Sequence, residues 1–299
     1  MNTEPAIRLS AVSKTYPHFA LADVDLELEQ GSIMGFIGPN GAGKSSTMRM
    51  IMGLVKADSG EIDVLGHRIP DAQVAAKWDI GFASEDMRLY RAGTLQWHID
   101  FTKSIYPAWD DDYAATLIER FDIRPEQKLK GFSHGQRVKA GLLLVLARRP
   151  KLLLLDEPTT GLDPVARKEV LNELMEVLAD EERTVLFYSH NTKDIEQLSD
   201  QITFIDKGRI IASQDKESFL EQWRRVRFEA PEGFDIPALP NVVESQLNGK
   251  LGSITTGRFD ANLTDALQAK GATIQSIDNM TLEEIFVTEV EANREGEAA

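Results

Sequence analysis

The stretch that decides the fold is Gly38-Pro-Asn-Gly-Ala-Gly43-Lys44-Ser45, which follows the apolar run Ile-Met-Gly-Phe-Ile at 33–37. It fits the pattern G-x-x-x-x-G-K-[ST] and stands between a predicted buried strand and a predicted helix that begins near Ser46. The glycines let successive backbone N–H groups curl around a phosphate, and the positive end of the helix faces the same point. Lys44 would neutralise the outer phosphates and Ser45 would ligate Mg²⁺. The stretch therefore predicts a P-loop nucleotide site.

The surrounding sequence predicts an α/β fold, because short apolar runs alternate with helical patterns over the first two-thirds of the chain. Continuous apolar runs predict parallel strands buried on both faces at 33–37, 152–155 and 184–188. Residues 7–12 and 24–29 alternate instead and predict an antiparallel flap. Residues 202–212, with Lys207-Gly208 at the centre, predict a closing hairpin.

Two acids, Asp156 and Glu157, follow the apolar run at 152–155, where open α/β sheets hold their ligands. Asp156 is predicted to complete the Mg²⁺ shell. Glu157, one residue on, points away from the metal and can orient or deprotonate an attacking water. Isolated acids at a strand end can also be helix caps. In company with the P-loop, they predict nucleotide hydrolysis.

Five motifs stand in one order: the P-loop, Phe-Ser-His-Gly-Gln at 132–136, the strand with its two acids, Gly-Leu-Asp-Pro at 161–164, and His190 after a strand. This order resembles that of ABC ATPases, and residues 1–215 are similar to the ATP-binding subunit of an ABC transporter. In that family the helix opened here by Ser133 binds the γ-phosphate of ATP held by the other subunit. The resemblance implies a head-to-tail dimer, and the intact motifs permit two identical copies.

The resemblance also implies roles for single residues. Tyr16 resembles the aromatic residue that stacks on adenine, and an exposed tyrosine without a role is the alternative. Asp163 resembles an aspartate that contacts the opposing subunit, although Asp163 and Pro164 equally form a good helix start. His190 resembles the histidine that hydrogen-bonds the γ-phosphate and links it to Glu157, so these two are the catalytic candidates. The predicted ATP-binding residues are Tyr16, Gly38, Asn40, Gly41, Gly43, Lys44, Ser45, Ser46, Ser133, Gly135, Gln136 and Asp163.

Two positions depart from the family pattern. The loop that usually presents glutamine to Mg²⁺ aligns with residues 81–86, so Glu85 joins Ser45 and Asp156 as a predicted metal ligand. The second departure is His134, which stands at a glycine position in the signature motif. A side chain that faces solvent is one interpretation of His134, and a group that titrates beside the nucleotide is the other.

The resemblance extends to a subgroup and to a domain plan. Residues 106–110, Tyr-Pro-Ala-Trp-Asp, and an acidic C-terminal segment look like exporter ATPases of the type-2 group, although Tyr106 and Trp109 could simply pack the core of the insertion. We expect an ATPase domain over 1–222 with a helical insertion at about 87–147. A small α+β domain follows over 223–290, and 291–299 are expected to be disordered. The α+β domain is expected either to stabilise the dimer as a lid or to regulate the transporter.

Composition excludes several classes. The chain has 33 basic and 48 acidic side chains and a formal net charge of −15, so binding to nucleic acid or anionic lipid is not expected. No apolar run approaches the roughly 20 residues that a membrane span needs. The absence of cysteine fits a reducing compartment, and the N-terminal residues do not resemble a secretory signal.

These observations predict an ATPase that drives export through a separate transmembrane permease subunit. ATP and Mg²⁺ are the expected ligands, and the expected location is the cytoplasm, peripheral to the inner face of the plasma membrane. The alternative is a non-transport ABC ATPase that acts as a clamp or scaffold on a macromolecular partner. Clamps of that kind usually carry two ATPase modules in one chain or large inserted arms, and neither is present here.

Overall fold

The computed structural model describes residues 4–84, 87–178 and 183–298. The chain forms two compact units, Met1–Ser199 with Ile205–Ile210 and Asp200–Phe204 with Ile211–Ala299. The predicted change of domain at 222/223 therefore falls inside the second unit. Aromatic packing gives the reason, because Phe204 lies 5.0 Å from the ring of Phe219 and 5.3 Å from that of Phe286.

The first unit contains two sheets, seven α-helices and one 3-10 helix (Leu129–Gly131) among its described residues. Its strands are β1 (Ile7–Tyr16), β2 (Phe19–Leu28), β3 (Ile33–Ile37), β4 (Ser59–Val64), β5 (His67–Ile69), β6 (Ile80–Ser84), β7 (Leu152–Asp156) and β8 (Thr184–Tyr188), and β9 (Gln201–Asp206) and β10 (Arg209–Asp215) cross the unit boundary. Its helices are α1 (Lys44–Ile51), α2 (Gln73–Asp79), α3 (Leu95–Ile105), α4 (Asp111–Arg120), α5 (His134–Leu146), α6 (Pro164–Leu178) and α7 (Thr192–Leu198).

The six-stranded sheet has the order β10-β9-β3-β8-β7-β6, and β3, β8, β7 and β6 pair in parallel. All residues of β3 and β8 are buried, which explains their unbroken apolar sequences. The predicted parallel strands are confirmed. Strand β6 was not predicted, since Gly81 interrupts its apolar pattern. Glycine is needed at this position because a Cβ there would lie 2.7 Å from Val145.

The antiparallel flap is confirmed as a four-stranded sheet of order β2-β1-β4-β5. Ile7 pairs with Leu28 and Leu9 with Leu26, so the alternating apolar side chains share one buried face. The hairpin of β9 and β10 is also confirmed. Its turn residues Lys207 and Gly208 both have positive φ, 44° and 80°, as a two-residue turn between strands requires.

The helical insertion begins its helices at side-chain caps. Thr94 caps α3, and Asp110 accepts the N–H of Tyr113 at 2.8 Å and so caps α4. Ser133 caps α5 and forms a capping box with Gln136. The cap at Ser133 confirms that a helix begins there.

The second unit contains a four-stranded antiparallel sheet of order β12-β13-β11-β14. Its elements are α8 (Lys216–Gln222), β11 (Arg224–Glu229), β12 (Val242–Asn248), β13 (Leu251–Thr256), α9 (Ala261–Ala269), β14 (Thr273–Asn279) and α10 (Leu282–Ala298). The predicted order strand, helix, strand, helix from residue 251 is present. Strand β11 was not predicted, since three of its six residues are arginines and only Val226 and Phe228 are buried.

Helix α10 continues to Ala298, through most of the segment for which composition suggested disorder. That segment, EANREGEAA, is rich in Glu and Ala, which have high helix propensity, so a helix already begun at residue 282 can propagate through it. Among the described residues, no helix has an apolar stretch long enough to cross a membrane.

Candidate nucleotide-binding site

The P-loop connects the buried strand β3 to α1, in the context that the motif requires. Gly41 and Gly43 have backbone φ values of 82° and 115°, which L-residues with a side chain rarely adopt. A Cβ at Gly43 would lie 2.5 Å from Leu21, and one at Gly38 would lie 2.4 Å from the carbonyl oxygen of Ile205. The loop conformation thus depends on glycine at these positions.

A pocket lies over this loop and collects most of the predicted phosphate-binding residues. Its lining consists of Phe19, Asn40, Gly41, Gly43, Lys44, Ser45, Ser46 and Tyr188. Gly38 is not part of this lining, but its carbonyl oxygen accepts a hydrogen bond from Lys44 Nζ at 2.6 Å. Lys44, Ser45 and Ser46 therefore line one concave surface at the start of a helix, a position that suits an anionic ligand.

Lys44 is buried, with 4% of its surface exposed. Its ammonium group donates to the carbonyl oxygens of Gly38 and Pro39 at 2.6 and 2.7 Å, and it lies 4.3 Å from the ring centroid of Tyr188. Burial lowers the pKa of Lys44 from 10.5 to about 8, against the opposing effect of the Glu157 and Asp156 carboxylates. A phosphate in the pocket would add further negative charge and raise this pKa again.

The shifted pKa predicts how ATP affinity depends on pH. With a pKa of about 8, Lys44 is charged at pH 7 and loses its proton as the pH rises through 8, so ATP must bind together with a proton. We expect affinity to be nearly constant below pH 7 and to fall by up to about tenfold per unit above pH 8. Titration calorimetry at pH 8 in two buffers of different ionisation enthalpy should show uptake of about half a proton per ATP. Affinity that is flat to pH 9.5 and binding without proton uptake would contradict the assignment.

Asp156 and Ser45 form the described part of the predicted metal site. The Ser45 hydroxyl hydrogen-bonds the Asp156 carboxylate, and burial together with the Glu157 charge raises the pKa of Asp156. Two hard oxygen ligands therefore meet beside the pocket, and a nearby cation would favour the ionised carboxylate. This donor set fits Mg²⁺. Glu85, the third predicted ligand, lies outside the described residues.

Glu157 leaves β7 with φ 55°, a left-handed conformation, and its N–H donates to the carbonyl of Tyr188 at 3.0 Å. Its carboxylate accepts from Thr160 Oγ1 at 2.6 Å, from the His190 N–H at 3.1 Å and from His190 Nδ1 at 2.6 Å. Asp156 has Ser45 as its partner instead, so the two neighbouring acids have separate environments. The structure thus brings the catalytic candidates Glu157 and His190 into direct contact.

The predicted residues at the start of α5, and Asp163 before α6, have contacts outside the P-loop pocket. Ser133 Oγ accepts the N–H of Gln136 at 3.1 Å, and Gln136 Oε1 accepts the N–H of Ser133 at 2.9 Å. A Cβ at Gly135 would lie 3.4 Å from Ala166 Cβ. Asp163 caps α6 through the N–H groups of Val165 and Ala166 at 2.9 and 3.1 Å. Within the described chain, none of Ser133, Gly135, Gln136 and Asp163 lines the P-loop pocket.

The His134 side chain is exposed, which agrees with the interpretation that it faces solvent. It also has a hydrogen-bond partner. Its Nε2 lies 3.0 Å from the carbonyl oxygen of Thr160. Tyr106 and Trp109 pack within the first unit: Trp109 is buried, and the Arg148 guanidinium lies 3.4 Å from the Tyr106 ring centroid.

Three residues of the site were not predicted: Phe19, Tyr188 and Thr160. Phe19 lines the pocket, and its ring centroid lies 6.1 Å from that of the predicted Tyr16, which does not line it. Tyr188 contacts Lys44, and Thr160 contacts Glu157. A signal existed for each: Phe19 is an aromatic residue close to Tyr16, Tyr188 is the polar end of an apolar strand, and Thr160 lies three residues after Glu157.

Comparisons with known proteins agree with this geometry. A sequence profile described as ABC transporter matches residues 21–160. The ABC transporter ATP-binding protein YtrB of Bacillus subtilis (strain 168) is 33% identical over 207 residues, which cover 69% of this chain and 70% of YtrB. The linearmycin resistance ATP-binding protein LnrL of the same organism is 36% identical over 194 residues, 63% of this chain and 62% of LnrL. A solved ATP-binding subunit of an ABC transporter has a TM-score of 0.66 at 26% identity, over 72% of this chain and 92% of the other.

The fold and the site define a P-loop ATPase. The chain belongs to the ATP-binding proteins of ABC transporters. The expected family, the expected fold class and the expected ATPase activity are therefore confirmed.

Proposed function

We propose that the chain hydrolyses ATP to drive export through a separate transmembrane permease, as a head-to-tail dimer with a second ATPase subunit, here an identical copy. The observation that carries the proposal is the meeting of Lys44, Asp156 and the Glu157–His190 pair at one P-loop site. The name of one relative, a linearmycin resistance protein, supports the export direction. Residues 1–222 would be the ATPase domain and 223–290 the accessory domain.

Glu157 is suited to hold the attacking water. In the hydrolysis, the water oxygen bonds to the γ-phosphorus, the bond to the ADP oxygen breaks, and a water proton passes to the carboxylate. A carboxylate has about four acceptor positions. Within the described structure, two donors approach Oε2 and one approaches Oε1, so Oε1 retains a position for the water.

His190 is held in one orientation by the same carboxylate. A carboxylate only accepts, so Nδ1 carries the proton that it donates to Glu157 Oε2 at 2.6 Å. With Nδ1 held by Glu157, Nε2 is the ring nitrogen that would contact a γ-phosphate oxygen.

Lys44 would bind the outer phosphates, and Ser45 and Asp156 would hold Mg²⁺. When bound, Mg²⁺ supplies positive charge to the β- and γ-phosphate oxygens. The backbone N–H groups of the P-loop, pre-arranged by Gly41 and Gly43, would bind the same phosphates without reorganisation. Phe19 and Tyr16 extend the pocket with aromatic surface, which suits the adenine ring.

The start of α5 supports the dimer. Ser133 and Gly135 belong to the signature motif, yet they do not line the P-loop pocket in the described part of their own chain. In the proposed dimer they bind the nucleotide held by the other copy. Each ATP would then join two subunits, and hydrolysis would separate them.

An exposed aromatic strip on the first unit suits the permease. The strip consists of Tyr90, Trp97 and Phe101, which are 64%, 47% and 53% exposed. The Tyr90 and Trp97 rings are 5.8 Å apart, and Trp97 stacks on Phe101 at 5.5 Å. Contiguous exposed aromatic surface of this kind marks interaction sites. We assign it to a helix of the permease, which would hold the chain at the cytoplasmic face of the plasma membrane.

The permease assignment predicts the result of a co-purification experiment. The protein should co-purify from detergent with a multi-span membrane protein, and the double variant Trp97→Ser/Phe101→Ser should reduce the yield of partner at least about tenfold, because buried aromatic residues dominate interface energetics. Leu251→Ser, at an exposed leucine of the second unit, is the matched control and should retain the partner. Undiminished yield from the double variant would contradict the docking site. Sedimentation with ribosomes, without a membrane partner, would support a clamp instead.

A further inference from the structure

Three hydrogen bonds connect the first turn of α5 to the carboxylate candidate Glu157, and all of them pass through Thr160. His134 Nε2 lies 3.0 Å from the Thr160 carbonyl oxygen. Thr160 Oγ1 donates to Glu157 Oε2 at 2.6 Å, and the Thr160 N–H donates to the Glu157 carbonyl at 3.2 Å. Thr160 is therefore held from α5 on one side and holds Glu157 on the other.

The bond from His134 has a defined direction and a defined space. A carbonyl oxygen only accepts, so Nε2 of His134 must carry the hydrogen. Gly161, with φ 70°, leaves room for the ring: a Cβ at this position would lie 3.0 Å from His134 Nε2. A glycine at residue 134, as in the family pattern that the motif resembles, could not form this bond.

We infer that His134 is a positioning residue for ATP hydrolysis: it holds Thr160, and Thr160 orients the Glu157 carboxylate toward the attacking water. The three residues form a relay, here called the His134 relay. The inference rests on the proposed function, in which the start of α5 binds the nucleotide of the other subunit. The relay would then connect one ATP site to the catalytic carboxylate of the other.

The size of the effect is limited by a second anchor of the same loop. Thr159 Oγ1 donates to the buried carboxylate of Asp194 at 2.9 Å, and Asp194 also pairs with Arg167. Loss of the His134 bond therefore leaves the loop at 159–160 attached through Thr159, but Thr160 is no longer held in one position. Loss of a neutral hydrogen bond of this kind corresponds to a change in kcat of about three- to tenfold.

The first test compares two replacements of His134 in the full-length protein, with its membrane partner where the partner stimulates turnover. His134→Leu removes the donor and should lower kcat for MgATP about three- to tenfold with KM changed less than twofold. His134→Gln places an amide N–H at a similar distance from the backbone and should restore kcat to within about twofold of the wild type. His67→Leu makes the same chemical change in β5 and should leave kcat unaltered.

A double-mutant cycle tests the path through Thr160. Thr160→Val removes the hydroxyl that contacts Glu157 but retains the carbonyl that accepts from His134. If the relay operates, His134→Leu has less than a twofold effect on kcat in the Thr160→Val background. An equal fold-loss in both backgrounds would show that His134 acts locally and would overturn the inference.

The remaining outcomes separate the inference from the proposed function. Wild-type kcat in His134→Leu, or equal losses in His134→Leu and His134→Gln, would overturn the inference alone, provided that Glu157→Gln abolishes turnover. A wild-type protein that does not hydrolyse MgATP would overturn both.

Discussion

The variant Glu157→Gln is expected to lower kcat for MgATP at least about a hundredfold while ATP still binds. General-base assistance contributes about 10² to 10⁴ in rate, and an amide cannot accept the proton of the attacking water. Binding should survive because Glu157 does not line the P-loop pocket, where the proposed phosphate contacts come from the loop and from Lys44. Since hydrolysis is the step that separates the proposed dimer, the variant should accumulate as an ATP-loaded dimer. Steady-state phosphate release and analytical ultracentrifugation with ATP measure the two effects.

Glu27→Gln is the matched control, because it makes the same chemical change at an exposed carboxylate that pairs with Arg8 and does not line the P-loop pocket. It should keep wild-type turnover, since exposed ion pairs contribute little. Turnover by Glu157→Gln at the wild-type rate would remove Glu157 from the mechanism. A slow variant that stays monomeric with ATP would keep the catalytic role and contradict the dimer.

The variant Lys44→Ala is expected to weaken ATP binding about a hundredfold or more. Lys44 is a buried cation at the P-loop, and a charge-assisted hydrogen bond contributes about 1.5–3 kcal/mol, so loss of contacts to two phosphates corresponds to at least a factor of a hundred. Turnover should fall in the same variant, because the charge that stabilises the transferred phosphoryl group is lost. Calorimetry with ATP measures the affinity directly.

Lys14→Ala controls for loss of a lysine as such. Lys14 pairs with Asp58 at 2.7 Å in the first unit and does not line the P-loop pocket. It should bind ATP with wild-type affinity. Lys44→Ala with unchanged affinity and wild-type circular dichroism would contradict the assignment of the P-loop.

The local geometry of the candidate site was largely predictable because each motif combines a residue type with a backbone conformation. A P-loop needs a strand before it and a helix after it, and both are readable as an apolar run and a helical pattern. Glu157 and Asp163 were similarly marked by a strand end and by a helix start. Local rules of this kind act over a few residues and do not depend on the rest of the chain.

Contacts between distant segments were not predictable in the same way. Phe19 and Tyr188 line the pocket because β2 and β8 bring them to α1, and the sequence contains no rule that pairs residue 19 or 188 with residue 44. The strands β11 and β12 were missed because their exposed face is polar, so the apolar signal is weak. The packing of Phe204 against Phe219 and Phe286 was likewise not readable from the sequence, because these aromatic residues lie far apart along the chain.

By itself the sequence determined the class of fold, the P-loop, the order of five motifs and the family that this order indicates, since all of these depend on residue type and short spacing. Only the tertiary structure decided which side chains contact the catalytic candidates and their neighbours: Thr160 and His190 contact Glu157, Ser45 contacts Asp156, and His134 contacts Thr160. The reason is physical. A hydrogen bond or a pKa shift depends on distances of a few ångströms between segments that folding brings together, and these distances are set by packing of the whole unit rather than by any single stretch.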